Sequence, residues 1–188
     1  MRFRLIRPLM FSAYIWSLKM EKNFDKCLEI ILQNEGGYVW HERDPGGETN
    51  LGVTRGTYEQ WVGREVLDGE MKRLTKADVA PIYEKNYWLR AQCDKLASGL
   101  DLAVFDWQVN SGSRSSKALQ GLVKAKKDGV IGPMTLAEVD KHDPRELIQG
   151  MHDVRQEFYM NLKTYDTFGR GWTYRNKHTL ELALQMAD

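Results

Sequence analysis

The stretch NEGGYVWHERDPGGETNLGVT, residues 34–54, decides how the rest of this chain is interpreted. It contains four acids, two threonines and five glycines. Glycine is costly in helices and strands, so a stretch this rich in glycine is used where the backbone must turn sharply or lie close to another group. We therefore expect an irregular segment or a short β-hairpin here. Loops held by rigid elements are where function tends to lie.

Glu35 comes at the end of a helical pattern that begins at Asn23, a typical N-cap residue. The apolar residues of this pattern fall on one face: Phe24, Cys27, Leu28, Ile31 and Leu32. Gly36 and Gly37 are expected to end the helix in a left-handed turn. A carboxylic acid there can donate a proton if partial burial and the helix dipole keep it neutral. The alternative is a solvated glutamate at a helix end.

Asp44 is the candidate for a second carboxylate across a cleft, the pairing that glycoside hydrolysis usually needs. Its alternative role is local, because aspartate before Pro-Gly-Gly is a good turn former. Glu48 is a rival second carboxylate. Three further residues of the stretch are candidates to hold a water molecule: Thr49, Asn50 and Thr54.

Other residues are candidates for contacts with a substrate. Tyr38 and Trp40 lie close to Glu35 in sequence and are expected to form cleft walls. Asp106 and Asn110, one helical turn apart, either line the cleft or cap neighbouring backbone groups. The tryptophans farther along the chain are expected in the core more than as sugar platforms: Trp88, Trp107 and Trp172.

Composition limits the class of protein. The chain has 188 residues, 42% hydrophobic and 28% charged, which is typical of one globular domain with or without a small attached lobe. With a net charge of +1 we expect no nucleic-acid partner. The histidines and cysteines show no metal-ligand spacing, so we expect no metal and no cofactor. Cys27 is predicted to be a buried free thiol, with a disulfide to Cys93 as the alternative in an oxidising compartment.

Residues 1–22 are predicted to be an N-terminal extension with a basic start and a short apolar run. The run is too short for a confident transmembrane helix and lacks a small-x-small cleavage site. Three interpretations stay open: an export or membrane-tethering segment, a start upstream of a natural start at Met20, and a packed extension. The first would allow transient membrane contact through residues 1–19.

Apolar periodicity predicts an all-α chain with the opening stretch as its one irregular or β element. Thr75 begins a helix with a capping-box pattern, and Pro81 is expected to kink that helix or delay its start. Asp143 and Pro144 form an N-cap followed by proline at the first helical position. The remaining predicted helices begin at Thr57 and Thr135 and cover residues 100–110, 113–124 and 175–186.

The motifs of this chain resemble glycoside hydrolase family 108, the N-acetylmuramidases found among phage endolysins and related bacterial proteins. The resemblance lies in EGGY (35–38), DPGGETNLGVT (44–54), IYEKNYW (82–88) and VFDWQVNSG (104–112). The segments LQ (119–120) and DGVIGPMT (128–135) resemble the small peptidoglycan-binding-type lobe that usually follows. Val53 replaces the usual isoleucine.

This resemblance implies a lysozyme-like catalytic region over residues 23–110 and a helical peptidoglycan-binding-type lobe over 111–188. It implies that Glu35 is the general acid for cleavage of the β-1,4 bond between N-acetylmuramic acid and N-acetylglucosamine in peptidoglycan. Phage-type lysozymes have the pattern E-x8-D-x5-T, in which Asp44 occupies the second position and Asn50 the third, with Thr49 one residue early. We expect a monomeric endolysin made in the host cytoplasm and released by a holin, or exported, to the periplasm.

Two other functions stay open from the sequence. A lytic transglycosylase would also use one glutamate but would leave an anhydro-sugar end. A non-catalytic wall-binding or secretion-assisting protein would keep the fold without needing the acid.

Overall fold

The helix before Glu35 is the first element in the computed structural model, which describes residues 23–40 and 47–187. The interpretations of residues 1–22 and of Asp44 lie outside these residues. Helix α1 spans residues 23–34, and its apolar face is buried as predicted. The left-handed turn expected at its end is wrong. Neither Gly36 nor Gly37 has a positive φ, and the chain leaves the helix through a bend instead.

The segment after Glu35 forms a small antiparallel sheet. Strands β1 (Thr49–Asn50) and β2 (Val53–Thr54) pair with Thr49 opposite Thr54, and Val39 bridges to Thr49 on the other side. The two turn residues, Leu51 and Gly52, both have positive φ, at 49° and 73°. This is the pattern of a type I′ hairpin, whose twist suits a two-residue connection. Left-handed backbone is unfavourable for leucine, so tertiary contacts must hold this turn.

Helices are the main regular structure in the rest of the described chain. They are α2 (Arg55–Val62), α3 (Lys76–Tyr83), α4 (Leu100–Ser111), α5 (Arg114–Leu122), α6 (Pro133–Val139), α7 (Pro144–Met160) and α8 (Tyr165–Met186). Short 3-10 turns cover Met71–Arg73 and Cys93–Lys95, and a π-helical turn covers Glu84–Trp88. The prediction of an all-α, lysozyme-like fold with a short hairpin is confirmed.

Three helix starts show why the prediction succeeded or failed locally. The capping box at Thr75 is present, and α3 begins directly after it, so Pro81 does not delay its start. Helix α6 begins at Pro133 rather than at Thr135, because proline suits the first helical turn. Helix α8 begins ten residues before the predicted Arg175. Gly169 and Gly171 lower local helix propensity, but packing on α7 outweighs that cost.

Helix α4 lies at the centre of the fold. Every residue from Leu100 to Gln108 is buried, since α5, α7, α8, the π-helical turn and α1 all pack against this helix. Phe105 meets Trp88 edge to face at 5.2 Å between ring centroids. Trp88 and Trp107 are therefore core residues, as predicted. This arrangement brings α8, at the far end of the sequence, close to the end of α1.

No helix within residues 23–40 and 47–187 is long and apolar enough to cross a membrane.

Candidate active site

Glu35 lies in the bend that follows α1, where its backbone N–H still donates to the Ile31 carbonyl at 3.1 Å. Its side chain is only partly exposed, with 22% of its surface accessible. The end of a rigid amphipathic helix thus holds a carboxyl group that is shielded on most sides but still reaches solvent. That is the placement expected of a group that exchanges a proton with a bound substrate.

The two carboxylate oxygens of Glu35 have different surroundings. Oε1 accepts a hydrogen bond from Arg175 Nη1 at 3.0 Å. Oε2 lies against the hairpin turn, where a Cβ on Gly52 would be only 3.1 Å away. The same Cβ would overlap the Tyr83 hydroxyl. Glycine is required at position 52 because its backbone is left-handed and because the turn lies so close to Glu35 and Tyr83.

Tyr83 fixes the hairpin turn to the helical part of the site. Its hydroxyl donates to the carbonyl oxygen of Leu51 at 2.9 Å, which holds the residue whose left-handed backbone is unfavourable. Burial, and then the nearby Glu35 carboxylate, raise the pKa of Tyr83 well above its usual range. The pKa of Tyr87 is raised for the same two reasons. Both phenols therefore stay protonated and can act as hydrogen-bond donors.

Arg175 is held in turn by Asp106. Its Nε and Nη2 donate to Asp106 Oδ1 at 3.0 and 2.7 Å, while Arg155 Nη1 donates to Oδ2 at 2.6 Å. Burial opposes the charge of Asp106, but the two guanidinium groups outweigh it and lower the pKa of this carboxyl. The two carboxylates and two arginines form one chain of ion pairs, from buried Arg155 to partly exposed Glu35. We call these four residues the charge network.

Asp106 has no exposed surface. Its position indicates a supporting role in the charge network rather than direct contact with a sugar. Asn110 is exposed, and its side-chain amide donates to the Asp106 backbone carbonyl at 2.6 Å.

The hairpin separates the three candidates for holding water. Thr49 and Thr54 are cross-strand partners, so their side chains share one face of the hairpin. Thr54 is also the N-cap of α2, where its hydroxyl accepts from the Thr57 N–H at 3.3 Å. Asn50 is on the other face, is buried, and donates to the Met71 carbonyl at 2.7 Å. Its amide therefore anchors the hairpin to the 3-10 turn beneath it.

Glu48, the rival second carboxylate, is held by two neighbours. The Tyr38 hydroxyl donates to Oε1 at 2.7 Å, and Arg55 Nη1 donates to Oε2 at 3.1 Å. Tyr38 is thereby tied to the base of the hairpin. Trp40, by contrast, is 60% exposed, as an aromatic side chain must be if a sugar ring is to stack on it.

Residues 23–40 and 47–187 contain no group of three or more histidine, cysteine, aspartate or glutamate side chains that could hold a metal ion. Both cysteines are buried free thiols, so the prediction for Cys27 is confirmed. Arg175, Arg155 and Tyr83 were not among the predicted site residues. Arg175 is separated from Glu35 by 140 positions, and no local pattern in the sequence links the two.

Comparisons with known proteins identify two families and a similar solved structure. Residues 28–112 match the family described as glycosyl hydrolase 108, and residues 114–177 match a family described as a predicted peptidoglycan domain. A solved structure of Brucella abortus SagA is 40% identical, with a TM-score of 0.77, and the alignment covers 89% of this chain and 97% of that one. No curated protein sequence matches.

The match to glycosyl hydrolase 108 contains Glu35, the hairpin and Asp106, while the match to the peptidoglycan domain contains Arg155 and Arg175. Each residue of the charge network therefore lies in a segment that matches one of these two families. The chain belongs to glycoside hydrolase family 108 and is a peptidoglycan hydrolase with a C-terminal peptidoglycan-binding domain.

Proposed function

We propose that this chain is an N-acetylmuramidase that cleaves the β-1,4 bond between N-acetylmuramic acid and N-acetylglucosamine, with Glu35 as the general acid. The observation that carries the proposal is the asymmetric setting of the Glu35 carboxyl group. One oxygen is held by Arg175, and the other lies at the hairpin turn beside Gly52. Partial exposure leaves the group accessible to a glycosidic oxygen.

In the proposed reaction the Glu35 proton passes to the glycosidic oxygen as the bond from that oxygen to the anomeric carbon breaks. The bonding electron pair leaves with the oxygen, which becomes the hydroxyl group of N-acetylglucosamine. A water molecule adds its oxygen to the anomeric carbon of N-acetylmuramic acid and releases a proton. The negative charge left on Glu35 is stabilised by the Arg175 guanidinium group, which already donates to it.

The parallel with phage lysozymes favours an inverting, single-displacement route with Asp44 on the side of the water molecule. Thr49 and Thr54, which share one face of the hairpin, are the better candidates to orient that water. Asn50 is less suited because its amide is already bound to the Met71 carbonyl. An inverting enzyme releases the α-anomer of the new reducing end first. NMR of the products within the first minutes would detect that anomer.

The acid is tested by turbidity loss of outer-membrane-permeabilised Gram-negative cells, with mass spectrometry of the released fragments. Wild type and Glu35→Gln are compared with Glu29→Gln, which makes the same change at an exposed position on α1. We expect lysis by wild type and Glu29→Gln, with reducing N-acetylmuramic acid ends, and none by Glu35→Gln. Persistent lysis by folded Glu35→Gln would refute the assignment.

The same fragments distinguish the alternative reactions. Anhydro ends, each lighter by one water, would identify a lytic transglycosylase. Binding to purified cell walls without release of any fragment would identify a wall-binding or secretion-assisting protein. We further propose the periplasm as the place of action, in a phage or prophage lysis setting, because peptidoglycan lies there in Gram-negative cells.

A further inference from the structure

Arg175 lies in helix α8, within the segment that matches the predicted peptidoglycan domain, yet its guanidinium group contacts Glu35. Its side chain is 15% exposed, and that of Glu35 is 22% exposed. Among the residues that the structure describes, Arg175 is the cation paired with Glu35. The C-terminal segment therefore reaches the candidate acid directly.

The direction of Arg175 is fixed before any substrate arrives. Nε and Nη2 both donate to Asp106 Oδ1, and Nε also lies 3.4 Å from Oδ2, so two neighbouring donors of the planar guanidinium group are held at once. Asp106 is held in turn by Arg155, whose Nε donates to the Tyr159 hydroxyl at 2.7 Å. Only Nη1 of Arg175 points away from this support, and it meets Glu35.

This contact distinguishes the two oxygens of Glu35. An arginine can only donate, so an oxygen that accepts from it is the less favourable position for an acidic proton. The proton is then directed to Oε2, the oxygen beside Gly52 and the hairpin. Asp106 and Arg155 contribute no net charge, which leaves the positive Arg175 balanced by Glu35 when that carboxyl group is ionised.

We propose that Arg175 is a positioning residue for the reaction, contributed to the active site by the C-terminal segment. It orients the Glu35 carboxyl group so that Oε2 carries the proton, and it stabilises the carboxylate once the proton has left. This inference rests on the proposed role of Glu35. It gives the C-terminal segment a part in catalysis in addition to binding the cell wall.

The test compares full-length wild type, Arg175→Gln and Arg175→Lys with Arg170→Gln, which makes the same change at an exposed position of α8. Circular dichroism first establishes which variants are folded at the assay temperature. Initial rates on purified peptidoglycan are then measured at varied substrate concentration, which gives kcat and KM separately. Glu35→Gln is measured in parallel.

We expect Arg175→Gln to lower kcat by ~10–100-fold with a smaller change in KM, since a misplaced acid loses rate more than binding. Arg175→Lys, which restores the charge without the planar fork, should recover part of the rate. Arg170→Gln should match wild type.

A folded Arg175→Gln with wild-type kcat would overturn the proposal. So would a lower kcat with no recovery in Arg175→Lys, which would indicate a structural role alone. If Arg175→Gln does not fold, Arg175→Lys decides, and a wild-type kcat in that variant overturns the proposal. Activity in Glu35→Gln would instead remove the proposed function itself, so the two failures are distinguishable.

Discussion

Replacing Asp106 with asparagine should destabilise the protein more than any single substitution on its surface. Asp106 is fully buried and accepts hydrogen bonds from two arginines. Asparagine has nearly the same shape, but it removes the negative charge and turns one acceptor oxygen into a donor that faces a guanidinium group. The substitution therefore isolates the electrostatic contribution from packing.

The loss of stability depends on which partners each arginine keeps after the substitution. Arg175 is 15% exposed and keeps Glu35 as a partner. Arg155 is 2% exposed and has no other carboxylate within the described residues, and its Nη2 atom already lacks a partner there. Removing one member of a buried ion pair costs about 3–5 kcal/mol, because the other charge stays buried and uncompensated. For a chain of this length that corresponds to a fall in Tm of roughly 6–20 °C.

The measurement is thermal and urea unfolding followed by circular dichroism. Asp153→Asn is the matched control, because Asp153 is exposed on α7 and, among the described residues, accepts a hydrogen bond from Gln149 alone. A surface change of this kind should alter the free energy of unfolding by less than about 0.5 kcal/mol. An Asp106→Asn protein whose Tm stays within the range of the control would refute the view that Asp106 compensates buried positive charge.

Two further predictions concern the hairpin and helix α4. Gly52→Ala should abolish cell-wall lysis and lower the Tm, because a Cβ at this position would overlap the Tyr83 hydroxyl and crowd Glu35. The control is Gly56→Ala, where a Cβ on α2 meets open space. Equal lysis by the two variants would contradict the prediction. Burial raises the pKa of Asp101 to about 6. The neutral carboxyl group stabilises the fold below pH 4, and this stabilisation is lost as pH rises through 6. The difference in free energy of unfolding between wild type and Asp101→Asn should therefore change by about 2 kcal/mol between pH 4 and 7. A pH-independent difference would count against it.

The local parts of the site could be predicted from the sequence because neighbouring residues determine them. The helix before Glu35, a short hairpin somewhere in the glycine-rich stretch after it and the caps at Thr75 and Asp143 follow from apolar spacing, glycine and capping residues, whereas the turn at Leu51 depends on tertiary contacts. Such features depend on a few consecutive positions, where propensity and pattern are most informative.

The charge network could not be predicted because it depends on tertiary packing. Arg155 and Arg175 reach Asp106 only because α7 and α8 both pack on α4. Because the sequence predicts that α8 begins at Arg175, this residue was expected at a helix end. In the structure it lies in the interior of a long helix, where its backbone is fixed by the turns on either side.

The proposed active site contains residues from both of the matched segments. Glu35 and the hairpin belong to the first segment, and Arg175 to the second. Asp106, in the central helix, joins them because its two oxygens accept from arginines on α7 and α8. An acid held on one side only by a two-residue hairpin would be free to rotate. The guanidinium group from α8 supplies the second constraint, and its own orientation is set by a buried ion pair far less mobile than a surface contact. The C-terminal helices therefore form part of the framework that orients Glu35, the proposed acid.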